Sequence, residues 1–225
     1  MNQPDIAFFD LDNTVIDTDC ELTWKHMLAD LGRVPNEQRA KQQHYINLHA
    51  IGKTPEEEYL EFFLREFVGR EPCEMKDLAR YNFDNYLQDK LYPQALEEIE
   101  ALKAQGLPTV LLSGSTRIVV TPIAEALGVC DVVCTELELE GGKYTGGIVG
   151  PFCIRDGKLK RLLDYCRRHG KDPRHAMFYG DSVSDIPVFE KVGRAVVVNP
   201  NPKLKELAQE RNWNMVCWKL SRAEP

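Results

Sequence analysis

The chain has no long apolar run, no basic stripe and no paired cysteines. Its first apolar run, Ile6 to Phe9, stops at Asp10, and the opening Met-Asn-Gln-Pro-Asp carries no basic residue. That is too short for a signal-peptide core or a membrane span, so no membrane partner and a cytoplasmic location are expected. Lys and Arg number 28 against 35 Asp and Glu, a formal net charge of −7. Such a surface repels a phosphate backbone, which argues against a nucleic-acid partner. The one basic run, Lys158, Lys160, Arg161, Arg167, Arg168 and Lys171, reads mostly as the solvated face of a helix. The 7 cysteines are scattered, with no C-x-x-C pair and no His spaced to complete a zinc site. Reduced, mostly buried thiols follow. Internal repeats and low-complexity segments are also missing.

What is present is a globular mix: 225 residues, 43% hydrophobic, 28% charged and 9% aromatic. Disorder, collagen and coiled coil are excluded for the whole chain, and the length suggests one main fold plus an insert or a small second domain. Four short apolar runs, Ile6 to Phe9, Thr109 to Leu112, Met177 to Tyr179 and Ala195 to Val198, read as buried strands, with Val132 to Cys134 as a weaker fifth. Helical patterns at Pro93 to Gln105, Ile118 to Leu127 and Lys158 to Arg168 alternate with them, each followed by a glycine suited to a helix C-terminus. The expected fold is α/β: a parallel sheet with helices on both faces.

From about Cys20 to Leu91 this rhythm breaks. Only helical segments are expected there: Cys20 to Leu31, Asn36 to Ile51, Pro55 to Val68 and Glu74 to Leu91. Trp24, Leu28 and Leu31 share one face of the first, and Tyr59, Phe62, Phe63 and Phe67 line the third. An all-α insert over 17–91 between core segments 1–16 and 92–225 is the predicted division. Glu136 to Tyr144, around Gly141-Gly142, reads as a β-hairpin, with Gly146-Gly147 and Gly150-Pro151 closing a loop.

Ligands of an open parallel sheet bind beyond the carboxyl ends of its strands. The first run is followed by Asp10-Leu11-Asp12-Asn13-Thr14, two carboxylates that repel unless a cation or shared proton lies between them. An Asx turn with Thr14 capping it is the competing reading. The second is followed by Ser113-Gly114-Ser115-Thr116, hydroxyls and a glycine that would open a helix able to accept an anion, or merely cap it. Met177 to Tyr179 is followed by Gly180-Asp181-Ser182-Val183-Ser184-Asp185-Ile186-Pro187, where Asp185 also suits an N-cap. Lys158 falls in the first turn of a helix, where a cation opposes the dipole unless something anionic lies near.

These pieces fit one reaction. Carboxylates of Asp10 and Asp181 suit magnesium, and the metal, Lys158 and Ser113 would neutralise phosphoryl oxygens. Asp10 can attack phosphorus, and Asp12 can protonate the leaving oxygen and then deprotonate water.

Asp-Leu-Asp-Asn-Thr-Val, Leu-Leu-Ser-Gly-Ser, Lys158 and Gly-Asp-Ser-Val-Ser-Asp, in that order from Asp10 to Asp185, resemble the haloacid dehalogenase superfamily of phosphatases. The resemblance implies a Rossmann-like core, a parallel sheet with helices on both faces, with Asp10 as nucleophile, Asp12 as acid/base, Thr14, Ser113, Gly114 and Lys158 on phosphate, and Asp181 on Mg2+ with Asp10 and the Asp12 backbone carbonyl. Asp185 would support the metal shell. The insert position, Lys143-Tyr144-Thr145-Gly146 and Arg155-Asp156-Gly157-Lys158 resemble the phosphoserine-phosphatase-like subgroup, which includes histidinol-phosphate phosphatases and carries its helical cap between the first two motifs. Its phosphoserine enzymes hold the substrate amine with a Glu and its carboxyl with a cap Arg. Asp19 and Glu21 are candidates for the first, Arg39 and Arg65 for the second. A small phosphorylated metabolite such as phosphoserine or histidinol phosphate is the implied substrate, and Asp17 to Asp19 an implied hinge for cap closure. A phosphotransferase or mutase, and a receiver-like phosphoaspartate signalling domain, remain alternatives. Dehalogenation is disfavoured because carbon–halogen cleavage needs no acid such as Asp12, and a silent binding protein because every catalytic position is intact. The sequence carries no sign of oligomeric state.

Overall fold

In a computed structural model, which describes residues 4–50, 53 and 55–220, the strands are β1 (Ile6–Phe9), β2 (Thr109–Thr116), β3 (Asp131–Glu140), β4 (Lys143–Val149), β5 (Ala176–Gly180), β6 (Arg194–Val198) and β7 (Asn214–Val216). They form one sheet in the order β4-β3-β2-β1-β5-β6-β7, parallel except for the β3–β4 hairpin. Side chains of a strand alternate between faces, and β1 shows it. Ile6 and Phe8 pack with Leu162, Tyr165 and Cys166 of helix α7 (Arg155–Arg168). Ala7 and Phe9 pack with Ala95, Ile99 and Leu102 of α5 (Pro93–Ala104) and with α6 (Arg117–Leu127). Helices α8 (Ile186–Phe189) and α9 (Pro202–Glu210) complete the first of these layers. The expected α/β sheet covered on both faces is what forms, with one added antiparallel strand.

Between β1 and β2 lie α1 (Cys20–Asp30), α2 (Glu37–Ala50), α3 (Glu56–Leu64) and α4 (Pro72–Asn82), the last running through a π turn at Phe83–Leu87 and a 3-10 turn at Gln88–Lys90. Ile51, the expected end of the second helical segment, lies outside the described residues. Trp24 stacks on Phe67 at 5.5 Å, and Tyr59, Phe62 and Phe63 are buried around them. Leu31 departs from expectation: the helix stops at Asp30, and Leu31 at its C-terminus is 42% exposed. The chain leaves and re-enters the sheet layer side by side. Asp17 N–H donates to Lys90 O (2.8 Å) and Tyr92 N–H to Val15 O (3.0 Å).

Three local expectations change. Ser113 to Thr116 prolong β2 up to the helix they precede: Thr116 pairs with Thr135 of β3 past an irregularity after Leu112 and stands at the N-cap of α6 without a side-chain cap bond. Side chains make this extension self-sufficient, since Ser115 N–H donates to Ser113 Oγ and Thr135 Oγ1 to Gly114 O. Gly146-Gly147 lie inside β4 rather than in a loop. Helix α7 begins three residues before Lys158, because Arg155 adopts φ 47° and turns the chain into the helix early. Just behind it, Gly157 has no room for a side chain: a Cβ would lie 1.9 Å from Phe152 O. Gly157→Ala should therefore destabilise the fold by about 2 kcal/mol, read as an earlier urea midpoint with unchanged slope.

Candidate active site

The central strand β1 lies between β2 and β5, so the segments following all three meet at one sheet edge. The chain order reverses across β1, and such a switch point opens a crevice in doubly wound sheets. Asp10 N–H donates to Tyr179 O (2.8 Å), which carries the strand pairing into the first candidate residue. The Asp10 carboxylate is buried, and Lys158 Nζ lies 2.9 Å from its Oδ1 and 2.6 Å from Asp185 Oδ1. Lys158 is thus a clamp between two carboxylates rather than a first-turn surface cation. Burial works against its charge, but Asp10 and Asp185 outweigh that and hold the ammonium above its ordinary range.

Carboxylate oxygens of Asp10, Asp181 and Asp185 all lie within 4.8 Å of one another. Burial pushes Asp10 up to about 7, with Lys158 pulling it down and Asp185 and Asp12 adding to the rise. Burial raises Asp181 well above the usual carboxylate range too, helped by Asp10 and Asp185. Asp185 Oδ2 is buried with no hydrogen-bond partner. Asp185 is placed at the N-terminus of α8, but its side chain makes no cap and goes to Lys158. Three converging carboxylates, one lysine and an orphaned buried oxygen fit a hard cation bound by oxygen ligands. Thr14 Oγ1, expected on a turn or on phosphate, donates to Asp181 Oδ1 (3.1 Å).

Asp12 points away from that cluster. Its Oδ1 accepts from Cys20 N–H (2.7 Å), and its Oδ2 accepts from Ser115 Oγ (2.9 Å) and Ser113 Oγ (3.4 Å). The serines share a face of β2 because they are two residues apart on a strand, and Gly114 between them comes close enough to Ile154 that a Cβ would sit 3.0 Å from its Cγ2. The sequence marks Ser113 and Gly114 rather than Ser115; the signal for Ser115 is the period of a strand whose apolar run stops at Leu112.

Above these groups is a cavity of about 110 Å³, floored by Asp10, Asp12, Asp181 and Lys158. Asp19 and Glu21, at the start of α1, stand in its wall. Asp19 Oδ1 caps the helix, accepting from Glu21 and Leu22 N–H at 2.9 Å each, while burial and then Asp12 push its carboxyl up to about 7. Glu21 is 5% exposed, and burial, then Asp19 and Asp12, raise it well above the usual range. The rest of the wall includes Tyr45, Tyr59 and Phe152, which no motif in the sequence marks as part of a site. Neither candidate arginine reaches the cavity. Arg39 pairs with Asp30 (2.5 Å), and Arg65 lies over the Phe62 ring at 5.7 Å.

The profile of the haloacid dehalogenase-like hydrolases matches residues 7–190. The chain belongs to that family. Among relatives of this haloacid dehalogenase-like hydrolase is a histidinol-phosphatase of Neisseria meningitidis serogroup C (strain 8013), 27% identical over 219 residues that cover 95% of this chain and 99% of the relative. A solved structure of a protein of unknown function from Bordetella pertussis Tohama I superposes with a TM-score of 0.87 at 30% identity, covering 96% of this chain and 99% of that one. A phosphoserine phosphatase solved as an analogue of its phospho-aspartyl intermediate shares the fold, with a TM-score of 0.70 at 20% identity over 96% of this chain and 93% of its own. The expected enzyme class, a phosphatase of the haloacid dehalogenase type, is the one these comparisons give. No helix among the described residues is long and apolar enough to cross a membrane.

Proposed function

We propose that the chain is a magnesium-dependent phosphomonoester hydrolase that works through a phosphoaspartate on Asp10. The observation that carries this reading is the convergence of Asp10, Asp181 and Asp185 around a single buried lysine, beneath a cavity. That much negative charge at one point calls for a cation, and lysine plus cation is the counter-charge a phosphoryl group needs. Asp10, Asp181 and the Asp12 carbonyl would hold Mg2+, with Asp185 behind, and the ion would supply positive charge to the phosphoryl oxygens.

The chain's own groups do the rest. An Asp10 carboxylate oxygen forms a bond to phosphorus as the ester P–O bond breaks, and Asp12 gives its proton to the leaving oxygen. Asp12 then takes a proton from the water that attacks phosphorus, releasing inorganic phosphate and freeing Asp10. The Cys20 N–H and the Ser115 hydroxyl hold Asp12 in place for both transfers, and the Ser113 hydroxyl, whose contact with Asp12 is longer at 3.4 Å, is the one released to the phosphoryl group. Ser113, the Gly114 backbone and Lys158 receive the phosphoryl oxygens, and Thr14 fixes Asp181.

Residues 1–16 and 92–225 act as the catalytic core and 17–91 as a helical cap. The paired crossings at Val15 to Asp17 and Lys90 to Tyr92 are where a cap would pivot, next to the Asp17 to Asp19 hinge. The partner is a small phosphate ester. Seven unpaired cysteines, four of them buried, support a cytoplasmic setting. The test is phosphate release from phosphoserine, histidinol phosphate, phosphoethanolamine and sugar phosphates. Activity should fall about a hundredfold or more in EDTA and return with magnesium. Turnover indifferent to EDTA would remove the metal from the reading.

A further inference from the structure

Thr135, on β3, is fully buried and is not among the residues lining the cavity, yet its hydroxyl ties two walls of that cavity together. Oγ1 donates to Gly114 O at 2.6 Å and accepts from Cys153 N–H at 3.3 Å. Both partners are backbone groups of irregular stretches. Gly114 sits where the β2–β3 register breaks between Leu112 and Thr116, and Cys153 lies between β4 and α7. A buried backbone group outside a regular ladder must find another partner, and here one side chain serves two.

Each stretch carries groups proposed for phosphoryl transfer. Gly114 separates Ser113 from Ser115, so the peptide that Thr135 holds sets how both hydroxyls stand toward Asp12. On the other side Cys153 precedes Ile154, whose carbonyl accepts the Lys158 N–H at 3.1 Å in the first turn of α7. The two stretches touch directly: a Cβ on Gly114 would lie 3.0 Å from Ile154 Cγ2 and 3.5 Å from Cys153 O. One hydroxyl thus fixes the serine side of the site against the segment that launches Lys158, whose Nζ reaches Asp10 at 2.9 Å. Packing alone gives no reason for that hydroxyl, since a valine would fill the same buried strand position with no polar group to desolvate.

Taking the phosphomonoesterase reading as its basis, we infer that Thr135 is a positioning residue for phosphoryl recognition, setting the distance from Ser113 and the Gly114 backbone to Lys158. The phosphoryl group is gripped from both sides, and a misplacement of about 1 Å on one side can cost about a hundredfold in rate.

Inorganic phosphate, the product, probes that grip without turnover. Its inhibition constant against the best ester of the panel above is the deciding readout. Thr135→Val keeps the branched Cβ and removes the hydroxyl; in folded protein it should raise that constant about tenfold and lower kcat/KM at least as far. Thr135→Ser keeps the hydroxyl and should hold both within about twofold of wild type. A hydroxyl that served only the strand would cost Thr135→Val melting temperature and leave the phosphate constant where it was. An unchanged constant in Thr135→Val folded by circular dichroism therefore overturns the inference, whatever happens to turnover, and so does a constant that rises as far in Thr135→Ser. Should Thr135→Val not fold, Thr135→Ala takes its place against Thr135→Ser, and equal constants in those two overturn the inference. Wild type inert toward every ester of the panel and toward acetyl phosphate sinks the hydrolase reading as well, whereas active wild type with unmoved variants sinks the role of Thr135 alone.

Discussion

Asp10→Asn should lower kcat/KM for any phosphate ester by about 10⁴-fold or more, the scale seen when a covalent nucleophile is removed. An amide oxygen is a poor nucleophile toward phosphorus, and no other carboxylate can replace it in place. Asp12 faces Ser113, Ser115 and Cys20, and Asp185 is held by Lys158. Acid-quenched wild type should carry one phosphoryl group on Asp10 by mass spectrometry, and the variant none. The variant should fold without loss. In metal-free protein, Asp10 is one of three carboxylates within 4.8 Å of one another, and Asn removes its charge at nearly constant volume. Its metal-free melting temperature should therefore equal or exceed that of wild type. A variant that is inactive and also much less stable would mean that Asp10 was holding the fold together, and its loss of turnover would say little about chemistry.

The site was legible where strand ends announce it. Ile6 to Phe9, Thr109 to Leu112 and Met177 to Tyr179 are apolar runs that halt at polar residues, and the sheet brings those ends together at β1, β2 and β5. Strand position is written locally, in apolar periodicity and its sudden stop. Partnerships across the fold are not. Lys158 and Asp185 are 27 residues apart, and only the approach of α7 to the segment after β5 makes them a pair. Thr14 and Asp181, 167 apart, are the same case. The prolongation of β2 through Ser113 to Thr116 is hidden because Gly114 disfavours a strand and the serines on either side carry no apolar signal, which leaves Thr116 alone to suggest one; pairing with Thr135 decides it. The aromatic wall was half visible. Tyr59 sat in a stripe read as helical core, which it also is, but nothing in the sequence brings Phe152 to it.

The same distant pairing sets the second large effect. Lys158→Met should lower kcat/KM by about 10³-fold if, as proposed, it removes a preorganised positive charge from the place where phosphoryl charge is gathered. Unlike Asp10→Asn, it should also weaken the fold. The ammonium is 4% exposed and bridges Asp10 and Asp185, themselves 8% and 0% exposed. Removing one member of a buried ionic cluster leaves the others uncompensated, at a cost of about 3 kcal/mol. Urea unfolding in EDTA should show that loss. Magnesium, binding the same carboxylates in the folded state alone, should return part of it without returning the activity, because stabilisation by a bound ion follows its affinity for the native state. The two readouts separate the lysine's two duties, and Lys158→Arg sharpens the separation. A guanidinium keeps the charge but cannot occupy a space shaped for a compact ammonium between two carboxylates. It should therefore fail at catalysis even where it rescues stability. A Met variant as stable as wild type in EDTA would show that the carboxylates accommodate the loss by taking up protons, and that the lysine serves the phosphoryl group alone.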